Sequence, residues 1–295
     1  MQLILPLLQD GLSYQQALGI QADWYEDAGL PLAALALRSQ GRIAGGWGHS
    51  LAITSEGQVV AWGAHHSPQC RVPHNLRAIA VSAGDCHSLA LTHEGRVVGW
   101  GDNSFWQCDV PASLHATAIA AGRCFSLVLA INGEVTSWGQ ENYVPGGLRA
   151  VAIAAGAVHS LALTNEGLVV PWGDNNRRQC EVPDGLRAVA IAGGDLHSLV
   201  LTPEGEVVAV GDNAKRQCEV PDRLRAVAIA AGYYHSLALT REGQVVAWGD
   251  NSYRQCVVPH GLRAVAIAAG RDHSLALTPS GEVVTWGNLG LTEVP

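Results

Sequence analysis

Four short apolar runs recur in fixed order along most of this chain, separated by turns that are themselves nearly constant. In residues 226–259 they read "AVAIAAG", "HSLALT", "QVVAWG" and "QCVVP". The first is continuously small and apolar, the second alternates, and the third follows the turn "T-R-E-G". Val, Ile, Leu and Trp between glycine turns, in runs of about four to seven residues, predict strands. None of these runs is long enough for a helix of ordinary length.

Aligned on "HS", the copies place His49, His87, His159, His197, His235 and His273 at one position, with Phe125 standing there in the third copy. The spacings are 38, 38, 34, 38, 38 and 38 residues, so the chain is a repeat array. Four strands per unit in sevenfold repetition predict an all-β protein, a seven-bladed β-propeller over residues 41–295 with each blade a meander. Alanine and glycine in "AVAIAAG" suit an innermost strand, where blades crowd the axis. The fourth unit starts four residues early because "WGQENYVPGGL" replaces the longer "WGDNSFWQCDVPASL" of its predecessor. That loss predicts a notch at the rim of the third blade, close to Tyr143.

The pattern "AIAAGxxHSLALTxEGxVVAWGDN" resembles the repeat of the regulator-of-chromosome-condensation propellers, from about residue 42 onward. The "VP" before each inner strand is similar to bacterial members of that family that inhibit β-lactamases. The resemblance implies the propeller fold and three versions of a binding role. One is an inhibitor capping another protein's active site, a second a guanine-nucleotide exchange factor for a small GTPase, and a third a plant-type UV-B photoreceptor. No long inserted wedge interrupts the repeats, which counts against exchange activity. Only Trp47 lies just before the repeated histidine, which counts against a photoreceptor's tryptophan cluster.

Residues 1–40 do not fit the repeat. Leu18, Trp24 and Tyr25, then Leu32, Leu35 and Leu37, have helical spacing, and Gly29 and Pro31 divide them. The expectation is a short N-terminal helical hairpin docked on the propeller, with a separate partner-binding module as the alternative. "ADWYEDAGLPLAALALR" also resembles a segment that accompanies repeats in some bacterial proteins.

Composition fits this picture. Of 295 residues 48% are hydrophobic and 34 are glycine, with a formal charge of −8, as expected of a turn-rich soluble protein. No apolar run approaches the roughly 18 residues of a membrane span. The opening has no basic start and an early Asp10, so a cytoplasmic location is expected. Cys70, Cys108, Cys180, Cys218 and Cys256 share the "QC" position, and Cys86 and Cys124 share another. Equivalent positions one unit apart are too distant for disulfides. The thiols read as small buried hydrophobes in a reducing compartment.

In a meander, turns after strands one and three share a face, and turns after strands two and four share the other. The second face carries the near-constant "T-x-E-G" and "V-P-x-G-L" turns. The first carries what varies: Trp47, Asp85, Arg123, Asp195, Tyr233-Tyr234 and Arg271-Asp272 after strand one. After strand three it carries His65-His66, Phe105-Trp106, Arg177-Arg178, Lys215-Arg216 and Tyr253-Arg254. Trp62, Trp100, Trp138, Trp172, Trp248 and Trp286 hold the repeated "WG" position and are scaffold. The remaining propeller aromatics, including Phe125 and Tyr143, lie at or beside the variable loops. Aromatics interleaved with arginine have the composition of binding hot spots.

Catalytic and metal readings are weaker. Sevenfold placement spreads the histidines too far apart to share an ion, and His and Ser, adjacent on a strand, point to opposite faces. Each histidine is expected to bond backbone, "GDN" to form a turn, and His65-His66 to be an adventitious metal pair at most. No cofactor site is expected. The basic arc Arg177, Arg178, Lys215, Arg216 and Arg254 on a negative chain points to a protein partner with an acidic patch. The net charge argues against nucleic acid, and no membrane association is expected. The expected function is a non-enzymatic protein-binding propeller of inhibitor or adaptor type. The alternatives are an exchange-factor-like regulator of a small GTPase, or a lyase or hydrolase with Asp85, Asp195, Asp272, Arg123 and Arg271 at the axial mouth.

Overall fold

The computed structural model describes residues 41–63, 67–112, 114–140 and 142–288. The expected helical hairpin at residues 1–40 and the pair His65-His66 lie outside the described residues. Seven three-stranded antiparallel sheets follow one another, each built from consecutive strands. Inner strands are Ile43–Gly45, Ala80–Ala83, Ala116–Ala121, Ala152–Ala155, Ala190–Gly193, Ala228–Ala231 and Ala266–Ala269. Middle strands are His49–Ile53, His87–Leu91, Phe125–Ala130, His159–Leu163, His197–Leu201, His235–Leu239 and His273–Leu277. Outer strands are Val59–Gly63, Val97–Gly101, Val135–Gly139, Val169–Gly173, Val207–Gly211, Val245–Gly249 and Val283–Gly287. The ring closes where Arg271 N donates to the Gly46 carbonyl at 3.0 Å.

A fourth strand was expected from "QCVVP" and is not formed. The asparagine of "GDN" holds this segment in a loop, its side-chain carbonyl accepting from the cysteine amide: Asn103 from Cys108 at 2.8 Å, Asn251 from Cys256 at 3.0 Å. The proline that follows has no N–H for a ladder. Instead, in the first, third and fourth units the "LRA" that leads into the next unit runs beside the outer strand, with bridges Gln58 to Arg77, Glu134 to Arg149 and Leu168 to Arg187.

Every residue from His to Leu in the "HSLAL" strands is buried, although the letters alternate. Both faces are covered because each blade is packed between two others. Leu199 and Leu201 of the fifth unit pack on Ala238 and Trp248 of the sixth. The leucines of one blade thus sit against an alanine and a tryptophan of the next, and each buried leucine contributes about 1.5–3 kcal/mol.

Polar groups at the same seams interlock in the same direction. His197 Nε2 lies 3.0 Å from Ser236 Oγ of the next blade, and Ser236 Oγ donates to the Gln217 carbonyl at 2.9 Å. Trp248 Nε1 donates to that same carbonyl at 2.9 Å. A hydroxyl has one proton, so its bond to Gln217 leaves the imidazole as donor, and the histidine is the neutral Nε2–H form. The expectation of a bond to backbone is therefore corrected: all six histidines bond a serine of the next unit. His273 and Ser50, 2.8 Å apart, close the circle. Burial pushes His49, His197 and His235 down to about 3 and His87, His159 and His273 to about 4.

Candidate functional site: the variable loop face

Each three-to-four loop starts beside the one-to-two turn of its own unit: Asp102 N donates to the Cys86 carbonyl, and Asp250 N to that of Tyr234, both at 2.8 Å. The two kinds of variable loop therefore share a face, as the meander predicts.

Around the axis, turns from different blades knit together. Tyr233 of the sixth unit donates its hydroxyl to Asp85 of the second at 2.9 Å, across the channel mouth. Arg123 of the third unit approaches the same carboxylate at 3.5 Å. Arg271 of the seventh has its guanidinium 4.9 Å from the Trp47 ring centre and 5.6 Å from that of Tyr233, and also pairs with Asp272 at 3.3 Å. Tyr233 and Tyr234 meet edge to face at 5.7 Å, and Tyr234 hydrogen-bonds Asp195. Burial raises the carboxyls of Asp85, Asp195 and Asp272, an effect opposed at Asp85 by the Tyr233 hydrogen bond and at Asp272 by Arg271. Burial likewise holds the Tyr233 phenol far above its ordinary range. This is a preorganised, charge-paired lid over a narrow axial space of about 60 Å3 walled by glycine and alanine. Among the described residues, no three His, Cys, Asp or Glu side chains converge to hold a metal.

Farther out, the three-to-four loops are built alike and tipped differently. In the second unit Gln107 is buried, donating to Asp102 at 2.9 Å and accepting from Phe105 N at 2.8 Å. The residue before the glutamine is left-handed and non-glycine in every full-length loop described: Trp106 (φ 59°), Arg178 (66°), Arg216 (65°) and Arg254 (64°). Such a conformation costs an L-residue about 1–3 kcal/mol, and here it turns each tip outward. Trp106 is 69% exposed, and Phe105 and Tyr253 are also exposed.

Three assignments change. Phe125 is 4% exposed and packs with Leu127, Leu129 and Trp172, so it is core. It occupies the histidine position on the middle strand, which already marked it as scaffold. The basic arc is also less uniform than the letters imply. Lys215 pairs with Asp250 at 3.4 Å, Arg178 with Glu181 at 4.0 Å and Arg216 with Glu219 at 3.9 Å. The "QC" thiols are half-buried donors rather than hydrophobic filler: Cys108 Sγ reaches the Asp102 carbonyl at 3.2 Å. Burial, then the neighbouring aspartate, pushes Cys108 up to about 11 and Cys256 to about 12, so neither forms a thiolate near neutral pH.

The shortened third-unit loop has no buried glutamine. Asn142 takes its place, with Tyr143 beside it at the rim, 77% exposed. On the opposite face Arg149 pairs with Glu134 at 2.9 Å and Arg225 with Glu206 at 3.0 Å, while Arg77 donates to the Glu56 carbonyl at 2.6 Å.

A family model described as the regulator of chromosome condensation (RCC1) repeat matches residues 42–67, 78–107, 150–179, 188–217, 226–255 and 264–288, more than half of the chain. The chain belongs to the RCC1 repeat family. The RCC1 model passes over residues 108–149, the stretch with Phe125 and the shortened loop. Among solved structures, the ectodomain of the Arabidopsis thaliana receptor kinase ACR4 is similar at TM-score 0.72 and 22% identity, covering 83% of this chain and 96% of that one. The ectodomain of the Physcomitrella patens receptor kinase CR4 gives 0.73 and 22%, over 83% and 73%. Prp20p from Saccharomyces cerevisiae, described with its binding to Gsp1p and histones, gives 0.64 and 23%, over 72% of each chain. At these identities the likeness shows the RCC1-type propeller fold. Among curated protein sequences no match is found.

Proposed function

We propose that this protein is a non-enzymatic binding propeller that recognises a partner protein through its variable loop face. The observation that carries this reading is the placement of exposed aromatics. Trp47, Phe105, Trp106 and Tyr253 project from the two kinds of variable turn, with Tyr143 at the same rim. Large rigid aromatics left in water beside arginines have the composition of an interface core. The axial turns are held by pairing among themselves, so they offer a preshaped surface that loses little freedom on binding. Arg177 and Arg254, which form no ion pair among the described residues, are the cations that would face an acidic partner. Prp20p, a propeller described as binding Gsp1p and histones, is a precedent for protein recognition on this fold.

The partners captured by the wild type from its native cell extract provide the test. Tyr234→Ala and Trp47→Ala, aimed at aromatics near the axis, are expected to weaken capture by about 2 kcal/mol or more, while Arg254→Ala mainly slows association. Glu166→Ala and Glu204→Ala in the uniform turns are expected to leave capture unchanged. Capture that survives every change on the variable face overturns the assignment.

A further inference from the structure

The axis has two ends, and they differ in chemistry. At the variable face it is narrow and roofed by the paired Asp85, Tyr233 and Arg271 turns. At the uniform face it widens into a cavity of about 270 Å3. Its wall carries one branched aliphatic residue per blade, isoleucine in six (Ile43 and Ile191 among them) and Val81 in the second unit. Alanines fill the spaces between them. Arg42, next to Ile43, is turned away: its guanidinium donates to the carbonyls of Ile53 at 3.2 Å and Thr54 at 3.1 Å. A cavity this apolar holds water poorly, and one of roughly 150 Å3 already takes a benzene-sized guest.

One polar group interrupts this wall, and the fold departs from its own repeat to put it there. At the positions equivalent to Thr117, the residues Val189, Val227 and Val265 are buried in the cores between blades. In the third unit the register slips, Ala116 pairing with Ala130 but Ala118 with Leu129. A bulge of this kind re-aims a side chain. Thr117 lines the cavity instead, and it is the only polar side chain among the described residues of the wall. Its hydroxyl donates to the Leu129 carbonyl at 3.2 Å. With that proton committed, Oγ1 can serve a guest only as an acceptor. Apolar walls with one placed polar group are the make-up of a small-molecule pocket.

We propose that the uniform end of the axis is a binding site for a compact apolar molecule carrying a single O–H or N–H donor. The hydrocarbon sits among the isoleucines, and the donor bonds Thr117 Oγ1. The volume, nearly twice that of a benzene site, suits a guest of about two fused rings. The site lies at the opposite end of the axis from the variable loops, so partner capture there can fail without touching it.

Equilibrium dialysis of the full chain against indole and benzofuran tests this, since benzofuran keeps the bicyclic shape and has no donor. Both are expected to bind at one site per chain. Thr117→Val, which places the valine of the other units in the bulge, should weaken indole roughly fivefold, the worth of one hydrogen bond, and leave benzofuran as tight or tighter. Ile191→Trp, which fills the ring, should abolish binding of both in a variant with wild-type circular dichroism. If that variant does not fold, the contrast between the two probes in Thr117→Val decides alone. Failure of both probes to bind, indole binding that survives a folded Ile191→Trp, or a Thr117→Val variant that shifts both probes alike overturns the proposal.

Discussion

The seam between the fifth and sixth blades and the seam between the third and fourth solve one packing problem with different residues. At the first, His197 donates to Ser236, and the Gln217 carbonyl accepts from both Ser236 and Trp248. At the second, Phe125 stands where the histidine would be and the glutamine loop is shortened. Ser160 is instead met by Asn142, whose amide nitrogen lies 2.7 Å from its hydroxyl. An amide N–H thus replaces an imidazole N–H, brought from the loop rather than from the strand. The substitution is incomplete, because Trp172 Nε1 and Asn142 Oδ1 are buried without a hydrogen-bond partner among the described residues. The lesson is that the histidine and the glutamine loop form one inter-blade device, and the third unit departs from both together.

Acid should separate the two kinds of seam most strongly. The six histidines are held neutral, with folded values of about 3 to 4 against an ordinary 6.5. Between pH 6.5 and about 4 the unfolded chain binds protons that the folded chain refuses, so stability is present above this window and falls as pH drops. At pH 5 the loss is about 2 kcal/mol per histidine. Six together rival a typical folding free energy of about 5–15 kcal/mol. Raised carboxyls at Asp85, Asp195 and Asp272 oppose this only in part, since their lower-pH protonation favours the folded state. Urea midpoints measured from pH 7.5 to 4.5 should fall steeply, while amide exchange in 125–130 rises later than in 197–201. A flat profile would show that the histidines are not held as described.

Next in size is the core of the exceptional seam. Phe125→Ala should cost about 3–5 kcal/mol, as for other buried aromatics, and the loss should not depend on pH. His197→Ala should cost about 2–4 kcal/mol at pH 7.5, combining a cavity with an unsatisfied Ser236, and much less at pH 5. Equal pH dependence in the two variants would remove the distinction between the seams. Asn142→Ala should cost less, about 1–3 kcal/mol, by leaving Ser160 without its donor. Ser160→Ala in the same background should recover part of that loss, and chemical denaturation of the double variant checks it.

The sevenfold architecture was legible because it is written as a period, and each copy corroborates the others. The fourth strand was misread because "QCVVP" is apolar in letters, while the geometry answers to Asn103 and its equivalents bonding the cysteine amide. The inter-blade device had no local signature, since histidine and serine act across blades while sitting side by side in sequence. Its trace was the joint absence of histidine and glutamine from one unit. Phe125 was drawn into the candidate face by its type, although its aligned position already belonged to a buried strand. The loop aromatics Trp106 and Tyr253 were legible as exposed because they occupy positions that vary among copies within one chain. Pairing that neutralises much of the basic arc, such as Lys215 with Asp250 across a blade boundary, required coordinates.

The smallest expected effect concerns the loop tips at the same two seams, and there the sign is the test. Arg216 sits at φ 65° in the full-length loop, a conformation that glycine adopts freely. Arg216→Gly removes a left-handed cost of about 1–2 kcal/mol. The substitution also frees the unfolded chain by about 0.4–1 kcal/mol, and it loses a surface pair with Glu219 worth at most about 1 kcal/mol. The net expectation is a slight gain, under about 1 kcal/mol. Tyr143, in the shortened loop, is not among the left-handed residues. Tyr143→Gly therefore relieves nothing and should lose about 0.5–1 kcal/mol through unfolded-state entropy alone. Thermal unfolding of the two variants under identical conditions should shift the midpoints in opposite directions. A loss in both would mean that the arginine tip is held by contacts strong enough to repay its backbone cost, and that the tips are built for rigidity as well as display.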